Sequence, residues 1–243
     1  GGVLQCEKAI PFKKKLEEYI ELQKRKISRM EIDVRLNTEV TPETAEEVCP
    51  DVIIAAMGSV PVKPKIPGID GKNVYGANDI YYDFDKAGKD TVILGGGLVG
   101  LELGVALAMD GRNVTVVEMM PTTIASEKTG DTSERMGEAG MAAGEPLVQG
   151  VALCELIKTM PNMKILTSTK ALEIRPDGVA AEIQGREDFI PCDTVVYAVG
   201  QRPLEKEALA LYDCAPEFYQ IGDCSVPKNI MAATQQAYFI ARD

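Results

Sequence analysis

The sequence predicts an α/β protein built of two modules, each a parallel sheet flanked by helices, with an antiparallel β ribbon attached to one of them. Three observations predict it. The apolar run Thr91-Val92-Ile93-Leu94 leads through Gly95-Gly96-Gly97 into a segment with Leu98, Leu101, Val105 and Ala108 at helical spacing. Asn113 to Glu118 then forms a second strand, which completes the start of a βαβ unit. Two further strand patterns, near Asp51 and Thr194, end alike in Ala56-Met57-Gly58 and Ala198-Val199-Gly200. Finally, 243 residues at 45% hydrophobic composition are enough for two modest cores.

Taken in order, residues 12 to 30 place Phe12, Leu16, Tyr19, Ile20, Ile27 and Met30 near helical spacing, with charged residues on the other face. The triplet Lys13-Lys14-Lys15 beside Glu17 and Glu18 reads as solvated surface without a function. Glu31 to Leu36 has a strand pattern, and Asp51 to Ala56 reads as a buried strand that stops at Met57-Gly58. Pro61, Pro64, Pro67, Gly68 and Gly71 leave no room for a helix and mark a linker. After the helix that Asp110-Gly111 ends, residues 121 to 150 read as loop, with a helix as the weaker alternative, followed by a helix from Val151 to Thr159. Lys164–Leu166, Ala171–Ile174 and Val179–Ile183, with a turn at Pro176-Asp177-Gly178, are expected to form the antiparallel ribbon ahead of the strand Thr194–Ala198. A strand from Phe218 to Ile221 and a helix from about Pro227 close the chain.

Composition removes several functions. Lys and Arg number 26 against 37 Asp and Glu, a net charge of -11, so the chain repels phosphate backbones and nucleic acid is not expected as a partner. There is no histidine, hence no imidazole base, no Ser-His-Asp or Cys-His nucleophile and no histidine-containing metal site. No catalytic side chain and no metal ligand is assigned; the chemistry is expected to rest on something other than side chains. The six cysteines contain no Cys-x-x-Cys pair, which argues against a zinc ribbon, a dithiol motif or a cluster loop and for reduced, mostly core thiols in a cytoplasmic protein. The longest apolar stretch, Val92 to Met109, holds Gly95, Gly96, Gly97 and Glu102 and is no membrane span. The chain opens on Gly1-Gly2 without a methionine, from which a piece of something longer is expected.

Gly95-Gly96-Gly97-Leu98-Val99-Gly100 fits G-x-G-x-x-G and stands between a strand and a helix, the context the motif needs. Gly95 permits the tight turn, Gly97 lets backbone approach a pyrophosphate, and Gly100 lets helix and strand pack closely. Leu98 and Val99 open the helix, whose N-terminus offers free N–H groups and a positive dipole end to phosphate. Glycine-rich turns also occur where nothing binds. Here Glu118 closes the second strand at about the spacing of 20 residues expected of a ribose-binding acid. A carboxylate there accepts from a 2′-hydroxyl and repels a 2′-phosphate, which favours NADH over NADPH.

Glu102, read as lying in the first turn of that helix, is expected to complement the dipole, with a place near the nicotinamide as the other reading. Gly222-Asp223 ends the strand from Phe218. That acid either accepts from the hydroxyls of a sugar-like chain or caps a turn. Cys224 beside it reads as packing, since the neighbouring charge blunts a thiolate.

In order, Ala56-Met57-Gly58, Gly95 to Gly100 with Glu102, Glu118, Ala198-Val199-Gly200 with Arg202-Pro203, and Ile221-Gly222-Asp223-Cys224 resemble the flavoproteins with two dinucleotide-binding domains. Within them the chain most resembles the C-terminal part of NADH:flavin oxidoreductases of the 2,4-dienoyl-CoA reductase and enoate reductase type. The resemblance implies two Rossmann-like dinucleotide-binding domains. Residues 88 to 204 would form an NAD(H) domain inserted in an FAD domain made of residues 1 to 87 and 205 to 243. It implies hydride transfer from NADH to FAD, feeding reduction of an enoate or enoyl-CoA type substrate. Asp223, following Gly222, would hold the ribityl and phosphate part of FAD, the helix after Pro227 would point its N-terminus at the flavin, and Met57, Gly58 and Gly200 would lie where the chain crosses between domains.

The sequence departs from that family in several places. Its first FAD-binding G-x-G-x-x-G unit is missing, as are the FMN-binding barrel and iron–sulfur cluster that would be the partner domain. Met57 replaces a usual threonine, and residues 121 to 150 do not follow the pattern. An isolated chain is therefore expected to bind NADH weakly, FAD poorly or not at all, and to self-associate through uncovered edges. Two other readings stay open: a fragment of a different NADH-dependent electron-transfer reductase, and a non-catalytic nucleotide-binding or assembly module.

Overall fold

β-branched runs such as Thr91-Val92-Ile93-Leu94 and Val114 to Val117 have no polar face to offer water, so they fit only a parallel sheet covered on both sides. A computed structural model of the protein describes residues 2–7, 10–121, 123 and 147–242 and places them there. Of the residues expected to form loop between 121 and 150, position 122 and those from 124 to 146 lie outside the described residues.

The elements run α1 (Leu4–Glu7), α2 (Lys14–Ile27), α3 (Pro42–Val48), β1 (Val52–Ala55), β2 (Ser59–Pro61), β3 (Val74–Gly76), α4 (Ala77–Tyr82), β4 (Asp90–Leu94), α5 (Leu98–Met109) and β5 (Asn113–Val117). A helix Leu147–Lys158 precedes β6 (Met163–Leu166), β7 (Thr169–Arg175), β8 (Gly178–Ile183), β9 (Arg186–Pro191), β10 (Thr194–Tyr197) and β11 (Gln201–Pro203). A short helix Glu205–Leu209, β12 (Glu217–Gln220) and a helix Ile230–Ile240 end the chain. The chain divides into two compact units, one of Gly1–Glu18 and Pro61–Gly200, the other of Tyr19–Val60 and Gln201–Asp243.

In the first unit the sheet order is β3-β10-β4-β5-β6, parallel throughout. Residues Thr91 to Leu94 of the central strand are all buried, and Ile93 has no exposed surface. Pleating sends alternate side chains to opposite faces. Ile93, Val114, Val116 and Val196 pack with Leu101, Val105 and Leu107 of α5, with Ile80 of α4 and with Leu153. Val92, Leu94, Val117 and Val195 pack instead against Ile174, Val179, Ala181 and Ile190 of the ribbon β7-β8-β9. The layers are helices, parallel sheet and antiparallel ribbon. Helix α5 is apolar all round and buried from Gly100 to Ala108, as such a helix must be.

Three strand expectations are corrected. Lys164–Leu166 belongs to the parallel sheet as β6, paired with β5, and the ribbon takes its third strand from Arg186–Pro191. That strand was hidden because its residues alternate weakly and mostly face water; its turn, Gln184-Gly185, has both residues at positive φ (51° and 82°), the geometry of a tight hairpin. Glu31–Leu36 forms no strand. Among the described residues no strand pairs with it, and Ile32, Val34 and Leu36 are exposed. Asp51–Ala56 does contain β1, but this strand is not buried: among the described residues it pairs with β12 alone, and Val52 and Ile54 face outward at 42% and 47% exposure.

Around that pair the second unit has a small core of Ala55, Ala208 and Cys224, with Leu204 and Phe218 against it. Its helix α2 buries only Ile20. The last helix begins at Ile230 instead of Pro227 because Asn229 caps it, its side-chain oxygen accepting from Ala232 N. All six cysteines are free; Cys6, Cys192 and Cys224 are buried, Cys154 and Cys214 half-buried and Cys49 exposed. Burial, with Asp193 beside it, pushes the Cys192 thiol up to about 11, which leaves it without nucleophilic character. Among the described residues no helix is long and apolar enough to cross a membrane, and no cluster of His, Cys, Asp and Glu is arranged to hold a metal.

The two sheets differ in how much a lost side chain should cost. Ile93→Ala is expected to destabilise the first unit by about 2–5 kcal/mol in urea unfolding, whereas Ile54→Ala in the second should cost less than about 1 kcal/mol, because half of that side chain already meets water.

Candidate functional site

The sequence places a strand, three consecutive glycines and a helix in line, and the structure shows what each glycine does. Gly95 N donates to the Val117 carbonyl at 2.9 Å, so the turn begins while the chain is still held to β5. Gly95 has φ +112°, and a Cβ on it would lie 2.5 Å from the Ala198 carbonyl oxygen. A Cβ on Gly100 would lie 2.0 Å from the carbonyl oxygen of Gly95, so helix and turn touch backbone to backbone. Gly97 is the helix N-cap, with no side chain capping the helix, and a Cβ on it would meet nothing within 4 Å. The first N–H groups of a helix have no acceptor within it. Those of Leu98, Val99 and Gly100 therefore head an uncapped helix whose lip is open, a cradle suited to a diphosphate.

Glu118 stands at that lip. One carboxylate oxygen accepts from Gly96 N at 2.7 Å and the other from Met120 N at 2.8 Å. Its own backbone is locked to the sheet, Glu118 N donating to Leu166 O and its carbonyl accepting from Thr169 N. The structure thus brings Gly95, Gly97, Leu98, Val99, Gly100 and Glu118 into one place. It adds Gly96, where a Cβ would lie 2.8 Å from the Thr123 methyl and 2.9 Å from Glu118 Cβ. Gly96 occupies a variable position of the motif, and no sequence signal marked Thr123, which is buried.

Glu102 is corrected. It lies beyond the first turn of α5, away from the dipole's end, and its side chain is only 4% exposed. Its carboxylate accepts from Lys13 Nζ at 2.7 Å, and Lys13 also reaches Glu7 at 3.2 Å. The lysine triplet is corrected with it: Lys14 and Lys15 are surface residues, but Lys13 is the counter-ion of a buried acid 89 positions away.

The remaining predicted residues lie elsewhere. Met57 is exposed; Gly58 has φ +81° and Gly200 φ +117°, and neither has an atom within 4 Å of a built Cβ. In the second unit Gly222 has φ +66° and its N–H donates to Gln236 Oε1 at 2.7 Å, a partner that sequence reasoning missed. Asp223 accepts from Lys228 N at 3.2 Å and so caps the turn into the last helix. Cys224 packs, its thiol facing the carbonyls of Ala55 and Ile221.

Residues 7–237 match the family model described as pyridine nucleotide-disulphide oxidoreductase. The chain is 32% identical over 248 aligned residues to an NADH oxidase of Thermoanaerobacter brockii, covering 99% of this chain and 35% of that protein. It is 29% identical to a cinnamate reductase of Clostridium sporogenes, over 87% of this chain and 29% of that one. A solved 2-naphthoyl-CoA reductase, in complex with 2-naphthoyl-CoA, superposes with a TM-score of 0.83 at 29% identity, covering 98% of this chain and 34% of its own. The chain thus spans roughly a third of the length of each of these relatives.

Three expectations follow from the geometry alone. Gly97→Ala should cost at most about 1 kcal/mol, the difference between two N-cap residues in open space. Gly100→Ala should cost about 1–3 kcal/mol or more, since backbone has to move to admit the methyl group. Glu102→Leu should cost about 1.5–3 kcal/mol by removing the nearer of the two acids that hold Lys13, which keeps Glu7, and Lys13→Met in the same chain should restore part of it. Chemical unfolding of the single and double variants measures all of these.

Proposed function

Because the chain belongs to the pyridine nucleotide-disulphide oxidoreductase family, we propose that it binds NADH and FAD and carries hydride from one to the other. The observation that carries this reading is the head of α5, capped by no side chain and opened by Gly97, with Glu118 fixed beside it through Gly96 N. In the longer protein the electrons would serve reduction of an enoate or enoyl-CoA type substrate, as in the C-terminal region of 2,4-dienoyl-CoA and enoate reductases. An FMN-binding, iron–sulfur-containing barrel would be the partner domain. The cinnamate and 2-naphthoyl-CoA reductases among the relatives support that choice of substrate class.

On this reading the NAD(H) domain, expected over residues 88 to 204, corresponds to the unit of residues 1–18 and 61–200, because β3 and α4 share its sheet and core, and the FAD domain to residues 19–60 and 201–243. Leu98, Val99 and Gly100 hold the diphosphate of NADH through their N–H groups, and Gly97 leaves it room to approach. Glu118 accepts from the ribose hydroxyls. A carboxylate offers about four lone pairs and this one uses two, so it can take the sugar without releasing the turn. Gly222 and Asp223 would face the ribityl and phosphate part of FAD, and Met57, Gly58 and Gly200 would mark where the chain crosses between domains. When bound, FAD supplies the chemistry by accepting hydride from the nicotinamide, which needs orientation and no titrating side chain. A chain without histidine meets that requirement.

Titration with reduced nucleotides followed by nicotinamide fluorescence tests the proposal. The chain should bind NADH more tightly than NADPH, and Glu118→Ala should weaken NADH by about tenfold and remove the preference. Gly97→Ala should weaken both nucleotides. A chain that binds neither, or both equally well, refutes the reading. Binding of NADH with no bleaching of FAD under nitrogen, even when the whole polypeptide is supplied, would favour a nucleotide-binding module without redox function.

A further inference from the structure

We propose that Tyr81 is a positioning residue for nucleotide binding: by donating its hydroxyl hydrogen to the Val99 carbonyl, it aims the N–H of Gly100 at the diphosphate. The inference rests on the reading just given and extends it to a residue outside the glycine motif.

Tyr81 lies in α4, is 5% exposed, and sits in a core otherwise made of Ile, Leu, Val and Ala with Cys6 and Met163. A phenol buried there is costly unless its hydroxyl is bonded. Its partner is the Val99 carbonyl oxygen at 2.9 Å, one of the two residues between Gly97 and Gly100. Within an α-helix that carbonyl accepts from the N–H four residues on, and its second lone pair is open to the tyrosine. The carbonyl of Val99 and the N–H of Gly100 belong to one planar peptide group and point in opposite directions. Holding the oxygen from within the core therefore directs the hydrogen toward the open lip of the helix. Polarisation through the peptide also makes that N–H a better donor.

The tether is built on rigid elements. Gly76 ends β3, which pairs with β10, and α4 begins at the next residue. The Gly76 N–H donates to Asp79 Oδ2 at 3.0 Å, locking the corner between strand and helix. On its other side, the first turn of α5 is pressed on Gly95 by the bare backbone of Gly100. Below it, Glu102 is held by Lys13. Burial, and after it the charge of Glu102, raises the phenol well above its usual range, so the hydroxyl keeps its proton wherever the protein is folded.

Tyr81→Phe removes the donor and keeps the ring. In the full chain the dissociation constants of NADH and of ADP-ribose, which carries the diphosphate without the nicotinamide, should both rise by the same factor of about three to ten. The ratio of NADH to NADPH affinity should stay as in wild type, because Glu118 is untouched. The Gly100 amide proton should shift upfield in the unliganded chain as its peptide group loses polarisation. Tyr82→Phe, at a largely exposed neighbour, should change none of these. Should the Phe variant fail to fold, Tyr81→Met carries the same expectation. Unaltered dissociation constants alongside a lowered unfolding midpoint would overturn the inference and leave Tyr81 a packing residue. A loss confined to NADH would also overturn it, by moving the effect to the nicotinamide. Wild-type chain that binds neither NADH nor ADP-ribose would instead refute the underlying reading, and the inference with it.

Discussion

The contact between Gly100 and the carbonyl oxygen of Gly95 is the constraint on which the first unit depends. A methyl group on residue 100 would come within 2.0 Å of that oxygen, so α5 can start where it does only while residue 100 has no side chain. Everything downstream inherits this placement. The helix lies close over Ile93 and Val116, its N-terminus points out of the sheet at the carboxyl end of β4, and β5 brings Glu118 back to the same edge. Open parallel sheets bind ligands outside the carboxyl ends of their strands for this reason: the turns converge there and the helix heads face outward.

Close packing of an apolar helix leaves little tolerance for charge, and the one acid buried in α5 is matched accordingly. Glu102 receives Lys13 from a segment far away in sequence, which ties the start of the chain to the helix of the glycine motif. An ion pair of this kind contributes less to net stability than to arrangement, because the desolvation of both partners offsets most of their attraction. It holds two segments in one relation, since a sliding helix would leave both charges buried and unmatched.

How much of this was legible in the sequence varies with how local the cause is. The strand, turn, helix and second strand around Gly95 to Glu118 were readable because every signal lies within one short stretch: β-branched run, glycine spacing, helical period, Asp110-Gly111 stop. The tight turn at Gly95 and the close packing at Gly100 follow from the same residues, and the backbone shows both. What was not legible depends on partners distant in the chain. Lys13 looks like surface beside Lys14 and Lys15, and only the fold reveals Glu102 opposite it. Glu31–Leu36 has strand composition, but a strand exists only where another strand bonds to it, and composition says nothing of that neighbour. The assignment of Lys164–Leu166 to the ribbon failed on sheet membership, which is set by which edge was free. Arg186–Pro191 was missed because an exposed outer strand has little apolar alternation to read.

Glu118 holds the Gly96 and Met120 amides through hydrogen bonds that belong to the fold itself, and this has an energetic consequence. Folding itself immobilises the lip, so the loss of loop and side-chain freedom that would otherwise accompany ligand capture has already occurred. On the proposed reading, a nucleotide would meet a preorganised mouth and need induce little rearrangement in it. Such a mouth favours capture limited by diffusion and orientation, with differences among ligands expressed in how fast each one leaves.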